Sequence, residues 1–81
     1  MTYEEIKPLM KVLKIHLDTR DKRFMFLKIL FPEFTSTINL EGSSSTAAFN
    51  IFNEFKKQQM LGSLIACLNN HFDTNLTIPT T

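Results

Sequence analysis

Tryptophan is absent from this sequence, and cysteine occurs once, as Cys67. A lone thiol closes no internal disulfide, so the chain suits a reducing, cytoplasmic compartment. The two glycines, Gly42 and Gly62, do not form a loop that cradles phosphates. Charge of one sign is also lacking. Nine Lys plus Arg face eight Asp plus Glu, a formal net charge of +1, where nucleic-acid binding shows as a basic excess on one face. No stretch reaches the roughly 18 apolar residues of a membrane span. The opening MTYEEIKPLM is acidic and without an apolar run, unlike a signal peptide. No segment alternates with the period of two that marks a strand.

Apolar residues, by contrast, are plentiful. They make up 43% of 81 residues and include eight Phe, enough for one core in one domain. A domain this small keeps only about 3–5 kcal/mol after chain entropy is subtracted. The apolar positions recur at helical spacing, which predicts an all-α fold, a small antiparallel helical bundle. Thr2 and Glu5 are spaced as a capping box. Behind them Tyr3, Ile6, Leu9, Met10, Leu13 and Leu17 form one face of a first helix. Pro8 predicts a bend in that helix, or a helix that begins there. Asp18 or Thr19 caps a second helix, RDKRFMFLKILFP, which ends at Pro32. Its core arc holds Phe24, Phe26, Leu27, Leu30 and Phe31, with Met25 and Ile29 on the other side beside Lys22 and Lys28.

Residues 32–38 read as an irregular helix or turn anchored by Phe34 and Ile38. Gly42 marks a turn, and one of Ser43 to Ser45 caps the next helix, with Ala48, Ile51, Phe52 and Phe55 inward and Phe49 off the stripe. Gly62 predicts a tight connection to a last helix that carries Leu61, Leu64, Ile65, Leu68 and Phe72. The packed domain is expected to span 1–73, with 74–81 as the start of a linker or a disordered tail in which Pro79 excludes further helix.

Few residue groups suggest chemistry. Cys67 and His71 are four apart and can meet on a helix, as a thiolate–imidazole pair or half a metal site. A structural metal site needs about four ligands, and the only other histidine is His16. Cys67 reads better as a small buried hydrophobe. Glu4, Glu5 and Glu54 fall outside the apolar arcs and read as solvated charge. Arg20, Lys22 and Arg23 stand at the start of the second helix, where the macrodipole disfavours cations. Such a placement against local preference reads as a site for an anionic group, as a surface for an acidic partner, or as chance. No catalytic, cofactor or metal residues are expected, and the chain reads as a non-enzyme.

Four stretches carry a resemblance: YEEIKPLMKVL, RDKRFMFLKILFP, the link to INLEG, and TAAFNIFNEFKKQQMLGSLIACLNNHF. Their order over residues 3–72 resembles the bacterial effector-associated domains of the death-fold superfamily. The resemblance implies a six-helix Greek-key bundle that works as an adaptor. Such a module pairs with a like domain and couples a sensor NTPase to an effector in bacterial conflict or cell-death signalling. The partner-binding residues expected on this reading are Arg20, Lys22, Arg23, Met25 and Ile29 as a basic-apolar patch. Glu4, Glu5, Phe49 and Glu54 are the expected acidic-apolar complement. The alternative is a small helical DNA-binding or regulatory domain. Its recognition helix would begin STAAFNIFNEF, which has asparagines but no basic residue before Lys56.

Overall fold

Three of the four helices begin at a residue whose side chain, or whose partner three positions on, satisfies an orphan backbone group. A computed structural model describes residues 2–77. In it α1 runs Tyr3–His16, α2 Arg20–Leu30, α3 Ser44–Lys57 and α4 Leu61–Phe72, with a 3₁₀ turn at Pro32–Phe34. The fold is all-α, with no strand among the described residues. The Thr2 N–H donates to the Glu5 carboxylate at 3.2 Å, closing the expected box on α1. The Thr19 and Ser43 hydroxyls accept from the Lys22 and Thr46 N–H groups and cap α2 and α3. Pro8 neither delays nor interrupts α1, which starts at Tyr3. Pro8 and Glu4 are both exposed, so the Glu4 carbonyl left without its helical donor can turn to water.

The turn between α3 and α4 does not use Gly62, which lies inside α4. It uses Gln59, in the left-handed region at φ 59°. Met60 N–H donates to the Phe55 carbonyl at 2.8 Å and Gln59 N–H to that of Lys56 at 3.0 Å. This is the paired closure of a Schellman motif, usually occupied by glycine at the left-handed position. Gly42, at φ 93°, does mark a turn as expected.

Between α2 and α3 the chain is short of helix but well tied. Thr35 and Thr37 hydroxyls donate to the Pro32 and Phe34 carbonyls. Asn39 accepts from Glu41 N–H, and Asn50 of α3 donates to the Asn39 carbonyl. Phe34, Ile38 and Leu40 plug this link into the core.

That core joins Leu9, Met10, Leu13 and Leu17 of α1 to Phe26 and Leu27 of α2, Ile51, Phe52 and Phe55 of α3, and Leu64, Ile65 and Leu68 of α4. Phe31, Phe55 and Phe34 meet ring to ring at its centre. Two expected core members of α2 sit at its edge. Leu30 is half-buried, and so is Phe24, with the Arg20 guanidinium and Lys28 ammonium 5.6 and 5.8 Å from its ring centre. Tyr3 is not core. Burial rises along α1 from exposed Tyr3 through half-buried Ile6 to buried Leu9, so the first turn overhangs the core.

The chain remains packed past the end of α4. The Asn69 side chain accepts from the Thr74 hydroxyl and Leu76 N–H and donates to the Leu76 carbonyl, and Leu76 rests on the core. Asn69 thus ties residues 74 and 76 back to α4, while Pro79 lies outside the described residues.

Two substitutions test this architecture by chemical denaturation. Leu68→Ala, at a fully buried position, should cost about 2–5 kcal/mol, close to the stability of so small a domain. Gln59→Gly should raise stability by about 1 kcal/mol by relieving the left-handed backbone. A Gln59→Gly protein less stable than the parent would contradict the turn described here.

Candidate functional site

The basic cluster that opens α2 divides into three different environments. Arg20 is exposed and paired with Glu41 at 2.7 Å. Lys22 is exposed and bonded to Asp18 at 3.0 Å. That hydrogen bond, partly opposed by desolvation, holds the Asp18 carboxyl below its ordinary value, so the carboxylate persists further into acid.

Arg23 is 2% exposed and offers no surface charge, which corrects its expected place in a binding patch. Its Nε donates to the Leu17 carbonyl at 2.8 Å, one terminal nitrogen to the Leu40 carbonyl at 3.0 Å, and the other to the Ser44 hydroxyl at 3.2 Å. The Ser44 hydroxyl in turn donates to the Asp18 carbonyl. Leu17 is the C-cap of α1, where the helix dipole welcomes a cation. The sequence carries a signal for this burial. Arg23 precedes Phe26, Leu27 and Leu30 by three, four and seven residues, which puts it on the inward stripe of α2.

Beside this buried guanidinium, the ends of α1 and α4 and the outer face of α2 enclose an open groove of about 420 Å³. Ile15, His16 and Leu17 line it from α1 and its cap, Lys22, Met25, Phe26, Ile29 and Leu30 from α2, and His71 and Phe72 from α4. Ile15, Met25 and Ile29 are 57%, 53% and 65% exposed. Aromatic rings form a floor that continues into the core. His16 stacks on Phe72 at 4.4 Å, Phe72 on Phe26 at 5.8 Å, and His71 meets Phe26 edge-on. Among the described residues no carboxylate lines the groove; the ionisable ones that do are Lys22, His16 and His71.

The structure thus brings together Lys22, Met25 and Ile29 as expected, and adds Ile15, the two histidines and Phe72. Ile15 was legible, because it falls opposite the Leu9–Leu13–Leu17 stripe. The roles of His16 and Phe72 depend on how the ends of α1 and α4 converge, which periodicity does not encode. Arg20 is outside the groove.

The expected acidic-apolar complement is not gathered in one place. Glu4 and Glu5 belong to the first turn of α1, where Glu5 closes the Thr2 box. Glu54 accepts from Gln58 and lines a second, polar hollow with Asn50, Asn53 and Lys57. Phe49 is 52% exposed, lies against Phe52 and lines neither hollow. Cys67 is half-buried against the core, and His71 is engaged with Phe26 and Phe72. Among the described residues no three His, Cys, Asp or Glu side chains gather closely enough to hold a metal ion, and no helix is long and apolar enough to cross a membrane.

Arginine scanning separates the anchor from the surface. Arg23→Ala leaves the Leu17 and Leu40 carbonyls without donors and should cost about 2–4 kcal/mol. Arg23→Lys should recover little, because one ammonium does not reproduce the guanidinium fork. Arg20→Ala should cost less than about 1 kcal/mol, as exposed pairs do. Thermal melts of the three variants check the ranking, and equal losses at Arg20 and Arg23 would refute it. Comparisons of the chain with protein-family models, with curated proteins and with solved structures return no match.

Proposed function

We propose that this chain is a non-enzymatic protein-interaction module, a death-like adaptor whose binding surface is the groove of α1, α2 and α4. One observation carries the reading. Three large apolar side chains from two helices, Ile15, Met25 and Ile29, remain more than half exposed and share one groove. Scattered exposed apolar residues mean little, but a contiguous set with a polar rim is the usual form of a protein-contact site. A groove of this kind takes an apolar helix face, read through anchors three or four residues apart.

In this reading the four helices and the tied 32–40 link are a reduced form of the six-helix Greek-key bundle. The module works in the cytoplasm and pairs with a like domain, and the pairing couples a sensor NTPase to an effector. The apolar groove residues supply most of the affinity, while Lys22 and its neighbours select the partner.

Ile29→Asp tests the proposal. At an exposed position it should leave the helical circular dichroism and the stability within about 0.5 kcal/mol of the parent. The binding assay presents the immobilised chain with purified helical domains of proteins encoded beside it. The parent should retain one of them and the variant should release it. A folded Ile29→Asp protein that binds such a domain as the parent does would remove the groove from consideration.

A further inference from the structure

Sulfur is unevenly placed in this chain. Among the described residues Met10 is 9% exposed in the core and Met60 is half-buried against it, whereas Met25 is 53% exposed on the outer face of α2. Cys67, half-buried on the core, does not line the groove. Met25 does, together with Ile15 of α1 and with Ile29 one turn along its own helix. The most exposed of the described methionines therefore belongs to a wall whose other exposed side chains, Ile15 and Ile29, are pure hydrocarbon. A thioether packs as they do and adapts its shape more freely, but its sulfur is also a nucleophile that hydrocarbon lacks.

We propose that Met25 is an oxidation site, and that its conversion to the sulfoxide by a peroxide disables the groove. This rests on the reading of the groove as a protein-contact site and adds a control to it. A lone pair of the Met25 sulfur attacks one oxygen of hydrogen peroxide and the O–O bond breaks. The oxygen stays on sulfur, its proton passes to the departing hydroxide, and water leaves. The product is polar and accepts hydrogen bonds, so covering it with a partner's apolar surface strips its water without replacement. A dithiol reductant reverses the step, taking the oxygen off as water and becoming a disulfide. Met10 is shielded by the core, so the fold outlasts the modification. A filled groove covers Met25 as well, and binding and oxidation therefore oppose each other.

Peroxide titration of the full chain tests this, with a thiol reductant added before peptide mapping to clear reversible Cys67 products. Met25 should gain oxygen several times faster than Met10 and Met60, while circular dichroism stays unchanged. Nile red, a neutral apolar dye, is the probe of the groove. Its affinity should fall at least about tenfold on oxidation of the parent, the size of one large apolar side chain withdrawn from contact. Ile29→Asp should show a similar loss without peroxide. Met25→Leu should bind the dye like the parent and keep it through the same peroxide treatment. An excess of dye should slow oxidation at Met25 and leave the rate at Met10 unchanged.

Oxidation of Met25 no faster than that of Met10 would overturn the proposal. So would a Met25 sulfoxide that binds the dye like the parent while Ile29→Asp does not, a result that leaves the groove as a contact site. Dye binding unaffected by Ile29→Asp would remove the groove reading and this proposal with it.

Discussion

A guanidinium buried without a carboxylate is the constraint on which the rest of this structure depends. Arg23 is held by the carbonyls of Leu17 and Leu40 and by the Ser44 hydroxyl. Those three acceptors belong to the end of α1, the link before α3, and the first turn of α3. A buried ion with incomplete solvation is very costly, so the acceptors must all be in place together. The arrangement ties the 39–43 segment, whose buried apolar side chain is Leu40, to α2 through Arg23. It also sets the angle at which α2 leaves α1 and thereby the width of the groove between their outer faces.

The groove is built on that junction. Leu17 supplies both a carbonyl to Arg23 and a wall of the hollow, and Lys22 and Asp18 bridge the same corner on the solvent side. Phe26 points from α2 into the space where Phe72 of α4 stacks on it and on His16. The floor is continuous with the core through Phe31 and Phe55. Its walls, Ile15, Met25 and Ile29, belong to helix faces that the core does not need. On the proposed function, stability and recognition use opposite sides of the same helices, since Ile15, Met25 and Ile29 are exposed while the core residues face inward.

Much of this fold was legible in the sequence, because local chemistry and global packing agree there. Thr2 with Glu5, Asp18 or Thr19, and Ser43 to Ser45 announce three helix starts, whose caps are Thr2, Thr19 and Ser43, and apolar spacing places Leu13, Leu27, Ile51, Phe55, Leu64 and Leu68 inside. The misreadings have physical causes. Gln59 holds a left-handed position that glycine usually takes, so Gly62 attracted the turn three residues too late. Arg23 is charged, and its position on the inward stripe was outweighed by its neighbours Arg20 and Lys22. Tyr3 continues the apolar period of α1 past the point where there is anything to pack against. The set Met25 and Ile29 was readable as lying off the core, whereas their meeting with Ile15 and Phe72 required the tertiary arrangement of three helix ends.

The placement of Tyr3 has an optical consequence. With no Trp and one Tyr in the chain, the only strong intrinsic fluorophore stands on a turn that overhangs the core and is already wet in the folded state. Its emission is therefore nearly blind to unfolding, while the ring system from His16 to Phe34 fluoresces too weakly to report. The same isolation makes Tyr3 a clean reporter for whatever settles against the first turn of α1. A change in its emission at constant circular dichroism registers a contact there and nothing of the interior.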